Sequence, residues 1–426
     1  MLRKLILLFG MVLLAVVPIG AQDEDVTLTV THFFEGDPGT VGELINNQLG
    51  DYLAAQPNVT LNVEINSHDE YIEKFKVLAA GRELPDVFII NGDQITGVGG
   101  AGMLADLSGD LDADPDWRDL QVPGGMREWI RGDAVYALPN QMIITHVIYW
   151  NEAIFAEVGL EEFPDTWEGL LEAMALLSDG GYVPIAFGNI ARWPGYSPMF
   201  GTLSFRGHGI DWYNRLLNFD AEFTDEEFIR GLEAFVDLVE AGAFNEDANS
   251  TDTSQAQAMY FNREAAMFVE GDWAINTLNV DAPQDILDDT NLAVWPGLSN
   301  GSEDPTEVTW AAGWGWAINS ELEGAEREAA VELVKYLSNE DYGRQRIELG
   351  LLSAQAVTDF DETQLSQLNL ELNEMLADLT GVPLLTIAFP PSVTDMLGIG
   401  LQELMTGQTT PEELAEEMQE EYENYR

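Results

Sequence analysis

The chain has 426 residues, and its 75 aspartates and glutamates against 18 lysines and arginines give a formal net charge of −57. A nucleic-acid-binding protein needs a basic surface to displace counterions, so this charge excludes that class and argues against docking to an anionic membrane. Cysteine is absent, which excludes disulfides, thiolate nucleophiles and zinc–cysteine sites. A hydrophobic content of 46% provides material for a core, and the length of the chain suggests two or three domains.

The N-terminal segment has the three-part layout of a secretory signal peptide. Arg3 and Lys4 precede an apolar run over residues 5–17, and a proline and small residues follow up to Ala21. We expect residues 1–21 to be a signal peptide cleaved near Ala21, so that the protein is exported to the periplasm or the extracellular face of the membrane. An uncleaved anchor helix is the alternative, although the run is short for a membrane span.

Strands then alternate with helices. Residues 26–30 and 59–65 alternate apolar and polar side chains with the period of a strand, and apolar residues recur at helical spacing over residues 41–53. Residues 87–90 form a continuous apolar run, as in a buried parallel strand. This strand–helix–strand order predicts an α/β fold with helices on both faces of a sheet.

Later helices have recognisable starts. Asp165 with Glu168, and Thr224 with Glu227, have the spacing of capping boxes ahead of amphipathic runs. Thr410 opens a final helix. Because no long linker separates two domains, we expect the chain to cross between them more than once.

The sequence contains none of the common catalytic or metal-binding motifs. It has neither a Gly-x-Ser-x-Gly elbow nor a phosphate-binding glycine loop. Alternating aspartates over residues 110–116 resemble a calcium loop, but Pro115 or Trp117 stands where the turn glycine belongs, so a polar surface turn is favoured. The histidines lack metal-ligand spacing and are interpreted as strand, loop or surface residues: His32, His68, His146 and His208.

Tryptophans are concentrated after residue 190, and several of them lie in loops. Seven of the eleven follow residue 190, and several adjoin glycine or proline, as in Arg192-Trp193-Pro194-Gly195. A loop tryptophan either packs in the core or offers a rigid flat face to a ligand. The C–H groups of a sugar ring suit that face, while its hydroxyls need carboxylate and amide partners.

Several longer motifs follow one another along the chain, behind the signal peptide. The main ones are Ala79-Ala80-Gly81-Arg82-Glu83-Leu84-Pro85-Asp86-Val87-Phe88, Tyr149-Trp150-Asn151-Glu152-Ala153-Ile154-Phe155, Ala265-Ala266-Met267-Phe268-Val269-Glu270-Gly271-Asp272-Trp273 and Ala312-Gly313-Trp314-Gly315-Trp316-Ala317-Ile318. In this order they resemble family 1 of the extracellular solute-binding proteins, which serve ABC sugar importers and include the maltose-binding class.

The resemblance implies a two-lobed α/β fold of the periplasmic-binding-protein type, with a ligand cleft at the hinge. It implies the following division: residues 22–139 and 312–357 in lobe 1, and residues 140–311 and 358–426 in lobe 2. Family members capture a sugar or oligosaccharide and present it to the permease of an ABC transporter without performing chemistry. The expected partners are therefore a sugar and permease subunits, with no cofactor and no metal. We expect a monomer.

The resemblance also places candidate ligand contacts in lobe 1. Phe33, Phe34 and Glu35 follow the first strand, where family members approach the ligand. Asn91 and Asp93 follow the strand over residues 87–90, where the family supplies a carboxylate to sugar hydroxyls.

Further candidates are implied by the later motifs. Trp273 occupies the family's Gly-x-Trp stacking position. Trp310, Gly313 and Trp314 lie in the crossing strand that lines the cleft, where Ala312 replaces a family glycine. Spacing alone assigns three more residues to the site: Tyr71, Arg192 and Trp193.

Two alternatives remain at this stage. A cleft containing Glu35 and Asp93 in so acidic a protein could hold a cationic small molecule or peptide by charge pairing, and salt would weaken that binding. A secreted carbohydrate-active enzyme would instead need two cleft carboxylates at a fixed separation and would show turnover.

Overall fold

The structure is a computed structural model that describes residues 25–36, 39–92 and 94–425. The expected signal peptide and the candidate contact Asp93 lie outside the described residues. Within them, each helix is too short or too polar to cross a lipid bilayer.

The described residues form fourteen strands and eighteen α-helices. The strands are β1 (Val26–His32), β2 (Val59–Ile65), β3 (Val87–Asn91), β4 (Ile130–Arg131), β5 (Ala134–Val135), β6 (Leu138–Pro139), β7 (Ile143–Ile144), β8 (Val147–Asn151), β9 (Val183–Ala186), β10 (Ala265–Glu270), β11 (Thr290–Ala293), β12 (Glu307–Ala311), β13 (Trp314–Ile318) and β14 (Thr380–Val382). The helices are α1 (Val41–Ala55), α2 (His68–Gly81), α3 (Ile95–Gly100), α4 (Ser108–Ala113), α5 (Pro115–Leu120), α6 (Pro123–Met126), α7 (Glu152–Glu157), α8 (Trp167–Asp179), α9 (Phe200–Leu217), α10 (Glu226–Glu240), α11 (Thr253–Phe261), α12 (Ala274–Asp281), α13 (Gln284–Asp288), α14 (Gly324–Tyr336), α15 (Glu340–Glu348), α16 (Gln367–Leu376), α17 (Pro391–Thr406) and α18 (Pro411–Tyr425).

A five-stranded sheet organises the part of the chain that we call lobe 1. Its strand order is β2-β1-β3-β13-β6. β1 pairs in parallel with β2 and β3, while β13 is antiparallel to β3. The apolar side chains of β1 and β3 pack with α1 and α14 into one core. The apolar side chains that alternate along β1 and those of the continuous run in β3 are therefore buried in strands, as predicted.

A four-stranded sheet organises the part that we call lobe 2. Its strand order is β11-β8-β10-β9, and β10 is parallel to β9 but antiparallel to β8. Helices α8, α9, α10, α17 and α18 pack on one face of the sheet around a large aromatic core. The other face packs with α11, α12 and α16 around a smaller core.

Short strands connect the two lobes. The chain leaves the lobe-1 sheet after β6 and enters β7, which pairs with β12 in a separate three-stranded sheet of order β14-β12-β7. It returns directly from β12 to β13. A third connection runs from α15, which packs against α1, to α16, which packs against β11. Two lobes linked by several crossings create a cleft between them.

Two predicted helix starts are wrong by one residue. α8 begins after Thr166, whose hydroxyl accepts the N–H of Gly169 at 3.2 Å, and not after Asp165. α10 begins after Asp225 and not after Thr224. The Asp225 carboxylate accepts the indole N–H of Trp212 at 3.1 Å, so it links the start of α10 to α9.

The alternating aspartates of residues 110–116 take part in ion pairs and helix capping. Asp110 binds Arg327 at 2.6 Å. Asp114 pairs with Lys335 and accepts the N–H of Trp117 at the start of α5. The segment thus forms α4 and the start of α5.

Candidate ligand-binding cleft

Four rings of lobe 1 converge where strands of the sheet end. Phe33 lies just after β1. The centroid of its ring is 4.7 Å from that of Trp314 in β13 and 4.8 Å from that of His68 at the start of α2. Tyr71 of α2 lies 5.7 Å from Phe33. β1, β2 and β3 are parallel, so their carboxyl ends share one edge of the sheet, which is where α/β proteins bind ligands. We call these four residues the lobe-1 rings.

Tyr71 supports the other rings from beneath. Its side chain is only 2% exposed, and its hydroxyl donates to the carbonyl of Ile89. Burial raises the pKa of this hydroxyl. The ring lies 6.2 Å from Trp314, so Tyr71 sets the position of that ring by packing.

Phe34 and Glu35 continue the loop after β1 in different environments. Phe34 is buried, and its N–H donates to Nδ1 of His32 at 3.2 Å. Burial lowers the pKa of His32 to about 4, which leaves its ring neutral and able to accept this bond. Glu35 is exposed, and its backbone carbonyl accepts the hydroxyl of Thr40.

Two tryptophans of lobe 2 continue the lobe-1 rings across the cleft, and we call the six residues together the row of rings. The ring of Trp193 lies 5.2 Å from that of His68 and 6.3 Å from that of Trp273. A side-chain amide also crosses the cleft, since Asn276 of α12 donates to the carbonyl of Gly39 at 3.1 Å. The two lobes therefore meet through aromatic faces in the described structure.

Asp69 lies beside the row of rings. It accepts from Nδ1 of His68 at 2.9 Å. The hydrogen bond from His68 lowers the pKa of the Asp69 carboxyl, and the indole N–H of Trp193 lowers it further. The carboxylate is half-exposed, so it combines a negative charge with a flat ring at the same point of the cleft.

Trp273 lies on the segment that joins β10 to α12, between buried carboxyl groups and the cleft. Burial raises the pKa of Glu270 to about 8, against the N–H groups of Gly271 and Trp273 that favour the charged form. Burial also raises the pKa of Asp272 to about 7, against the attraction of Arg346. Two acids that hold a proton near neutral pH therefore precede the indole.

Trp310 and Gly313 lie in the second crossing. Trp310 is half-buried on β12, opposite Ile144 of β7, and packs with lobe 2. A side chain at Gly313 would place its Cβ 2.2 Å from Cδ1 of Ile143, so the two crossings touch at this glycine. Gly313 is thus explained by close packing of the crossings.

Asn91 and Arg192 complete the described candidates. Asn91 ends β3, opposite Trp314, and its N–H donates to Oε1 of Gln94 at 3.1 Å. Arg192 adopts a left-handed backbone with φ of 67°. Its Nε donates to Oε1 of Gln402 at 3.3 Å, so this side chain contacts α17 of lobe 2.

A buried polar network lies at the hinge. Arg346 of α15 donates to Oε1 of Gln141, in the first crossing, at 3.2 Å. Tyr342 and the indole of Trp316 both donate to Oδ1 of the neighbouring Asn140. These bonds tie lobe 1 to the residues about which the lobes would rotate.

The structure brings together five candidates with two residues that the sequence interpretation assigned no binding role. Phe33, Tyr71, Trp193, Trp273 and Trp314 belong to the row of rings. His68 is its sixth member, and Asp69 lies beside it. Both additions lie just after β2, at the same sheet edge as Phe33. That position relative to a predicted strand was the available signal.

The cleft can bind a molecule that has both a flat apolar face and polar edges. The indole and phenyl rings can stack on the apolar face of such a molecule. Carboxylates accept, and amides accept or donate, hydrogen bonds from its polar edges at the rim of the cleft. Across the described residues, no three histidine or acidic side chains are grouped as a metal site would require.

Comparison with known sequences gives a family match. A sequence profile of bacterial extracellular solute-binding proteins matches residues 38–344. An uncharacterized ABC transporter extracellular-binding protein of Pyrococcus horikoshii is 30% identical over 140 residues, which are 33% of this chain and 31% of that protein. The match therefore spans about a third of that relative's length.

Solved structures share the fold. A chitin oligosaccharide binding protein has a TM-score of 0.85 at 22% identity, covering 94% of this chain and 98% of its own. A protein from a study of xylan utilization by Caldanaerobius polysaccharolyticus has a TM-score of 0.83 at 23% identity, covering 93% and 99%. Maltose-bound MalE3 of T. maritima has a TM-score of 0.71 at 19% identity, covering 94% and 100%. These similarities confirm the predicted two-lobed α/β fold.

Proposed function

Because the chain belongs to the bacterial extracellular solute-binding proteins, we propose that it is the extracytoplasmic binding component of an ABC importer and captures a sugar or oligosaccharide between its lobes. The observation that carries this proposal is the row of rings from both lobes, in which Trp193 and Trp273 of lobe 2 meet His68 and its neighbours of lobe 1. Sugar C–H faces stack on such rings, and closure would enclose the ligand from both sides.

The polar groups beside the rings suit sugar hydroxyls. Asp69 is a half-exposed acceptor next to Trp193, and Asn91 adds an amide at the end of β3. Neighbouring folds also support this ligand class, because the names of solved relatives mention chitin oligosaccharide, xylan and maltose.

Closure would occur about the crossings. Residues 22–139 and 312–357 would move as lobe 1 against residues 140–311 and 358–426. The polar network around Arg346 and Gln141 supports this division, since it lies between the two sheets. We further propose that the protein is exported with cleavage near Ala21, acts as a monomer, delivers its ligand to permease subunits and catalyses no reaction.

The test is a titration of intrinsic tryptophan fluorescence with a panel of mono- and oligosaccharides, at low and moderate salt. We expect a saturable change that salt barely affects, because stacking does not depend on charge. Trp273→Ala should weaken binding about tenfold or more, as for a central aromatic contact. Trp167→Phe, in the core of lobe 2, is the control and should leave affinity unchanged.

Two other outcomes would contradict the proposal. A response to amines or basic peptides that weakens with salt, with none to sugars, would assign a cationic ligand held by charge pairing. Turnover of a bound oligosaccharide would assign a carbohydrate-active enzyme.

A further inference from the structure

Asp272 is a buried carboxyl at the base of the cleft, directly before Trp273. Only 1% of it is exposed. Its backbone N–H donates to the carbonyl of Ile144 at 3.0 Å, and its Oδ1 accepts the N–H of Ile144 at 3.1 Å. The two hydrogen bonds join Asp272 to β7, the strand of the first crossing.

The indole of Trp273 depends on the same backbone. Its ring folds back over Gly271 so closely that a Cβ there would lie 2.0 Å from a ring carbon. The carbonyl of Gly271 accepts the hydroxyl of Tyr149 at 2.8 Å. The ring therefore rests on a peptide held between Tyr149 on one side and the Asp272–Ile144 bonds on the other.

A cation of lobe 1 faces this carboxyl. Arg346 lowers the pKa of Asp272, as do the N–H groups of Ile144 and Leu352, although burial dominates and raises it to about 7. The other titratable neighbours are Glu270, on the same segment, and Tyr149 of β8, whose own pKa is raised by burial and by both acids. Asp272 thus gains or loses its charge near neutral pH, next to the hinge.

We propose that Asp272 is a positioning residue for ligand binding, which holds the Trp273 ring in its stacking orientation by anchoring its backbone to β7. The inference rests on the proposed function, since it takes Trp273 as a ligand contact. Asp272 is too deeply buried to touch the ligand itself.

The experiment compares Asp272→Ala and Asp272→Asn in the purified exported protein. The indole N–H resonance of Trp273 is followed by NMR with ¹⁵N-labelled tryptophan and assigned with Trp273→Phe. Asp272→Ala removes the acceptor of Ile144, so we expect the resonance to move and sugar affinity to fall about tenfold. Asp272→Asn keeps an oxygen acceptor and should retain affinity within about threefold. Asp281→Ala, at the exposed end of α12, is the matched control and should change neither quantity.

A pH titration gives a second readout that does not require the alanine variant to fold. The Trp273 resonance of the unsubstituted protein should shift with one component whose midpoint lies near 7, from Asp272, and a second near 8, from Glu270, whose carboxyl interacts with the indole N–H. Asp272→Asn should lose the first component and keep the second. A component near 7 that persists unchanged in Asp272→Asn would overturn the inference, because the ring would then respond to another group. So would an Asp272→Ala variant that folds and matches the unsubstituted protein in both resonance and affinity.

Failure of the proposed function would look different. If no sugar binds to any form, yet Asp272→Ala still moves the Trp273 resonance, then Asp272 positions the ring and the ligand class is wrong. If sugars bind and Asp272→Ala has no effect, the ligand class stands and the positioning role is wrong.

Discussion

At the residue scale, Glu270 makes stability depend on pH. Its folded-state pKa is about 8, against an ordinary value of 4.5. Between these values the folded protein holds a proton that the unfolded chain releases, so the free energy of unfolding falls as pH rises through this window. The loss amounts to about 1.4 kcal/mol for each pH unit within the window. We expect Glu270→Gln, which cannot ionise, to reduce this slope in urea unfolding measured from pH 5 to 8.

The control for that measurement removes a carboxylate that is exposed to solvent. Glu172 is exposed on α8, and Glu172→Gln should retain the slope of the unsubstituted protein. Asp272, whose pKa is raised with the same sign, accounts for part of the slope that remains in Glu270→Gln. Equal slopes in the Glu270→Gln and unsubstituted proteins would show that Glu270 ionises freely.

At the element scale, the two crossings that contain β7 and β12 pack without room for a methyl group. Gly313→Ala would place Cβ 2.2 Å from Cδ1 of Ile143. We expect a loss of about 1–3 kcal/mol in the free energy of unfolding, the usual cost of overpacking. Shortening the neighbour with Ile143→Val should recover part of it, and the coupling can be measured in a double-mutant cycle.

Gly124 is the matched position for this test. It lies in α6, and a Cβ there would meet no atom within 4 Å, so Gly124→Ala should be neutral or stabilising. If Gly313→Ala were equally harmless, the packing of the two crossings would not require a glycine at this position. The absence of a side chain would then be explained by the space that a ligand needs.

The elements show what could be predicted from the sequence. β1 and β3 were predicted because burial on one or both faces imposes a period that local composition reveals. β2 was predicted from the same alternation, although most of this strand beyond Val59 is exposed. β7 and β14 pair through the backbone over two or three residues, too few for any period. The helix starts predicted at Asp165 and Thr224 were each wrong by one residue, because a second polar residue follows each of them and occupies the N-cap. Thr166 caps α8 with its hydroxyl, whereas Asp225 precedes α10 without a side-chain capping bond.

The cleft was predicted unevenly for a related reason. The family resemblance, confirmed by the profile match, drew attention to Phe33, Trp273 and Trp314. The resemblance carried no information on side-chain direction, so it could not show that the Arg192 side chain binds Gln402 of α17. His68 was assigned to a strand, loop or surface because ring contacts between lobes depend on the tertiary arrangement of distant segments.

At the scale of the whole molecule, a net charge of −57 must oppose compaction. Like charges on the surface repel over a Debye length of about 30 Å at 0.01 M salt but only about 3 Å at 1 M. We therefore expect the urea midpoint to rise as NaCl is raised over this range, with most of the rise at the low end. Glycine betaine at matched osmolality, which is zwitterionic and does not screen charge, is the control that separates screening from solute exclusion.

Stability and ligand binding should respond differently to the same salt. In the proposed function the row of rings would hold a sugar by stacking, which screening does not affect, so sugar affinity should stay nearly constant while the urea midpoint rises. Both quantities can be measured on one preparation by tryptophan fluorescence. A urea midpoint that is unchanged between low and high salt would mean that the carboxylates lie too far apart, or bind too many counterions, to repel. A sugar affinity that falls in step with screening would show that attraction between charges, and not stacking, holds the ligand.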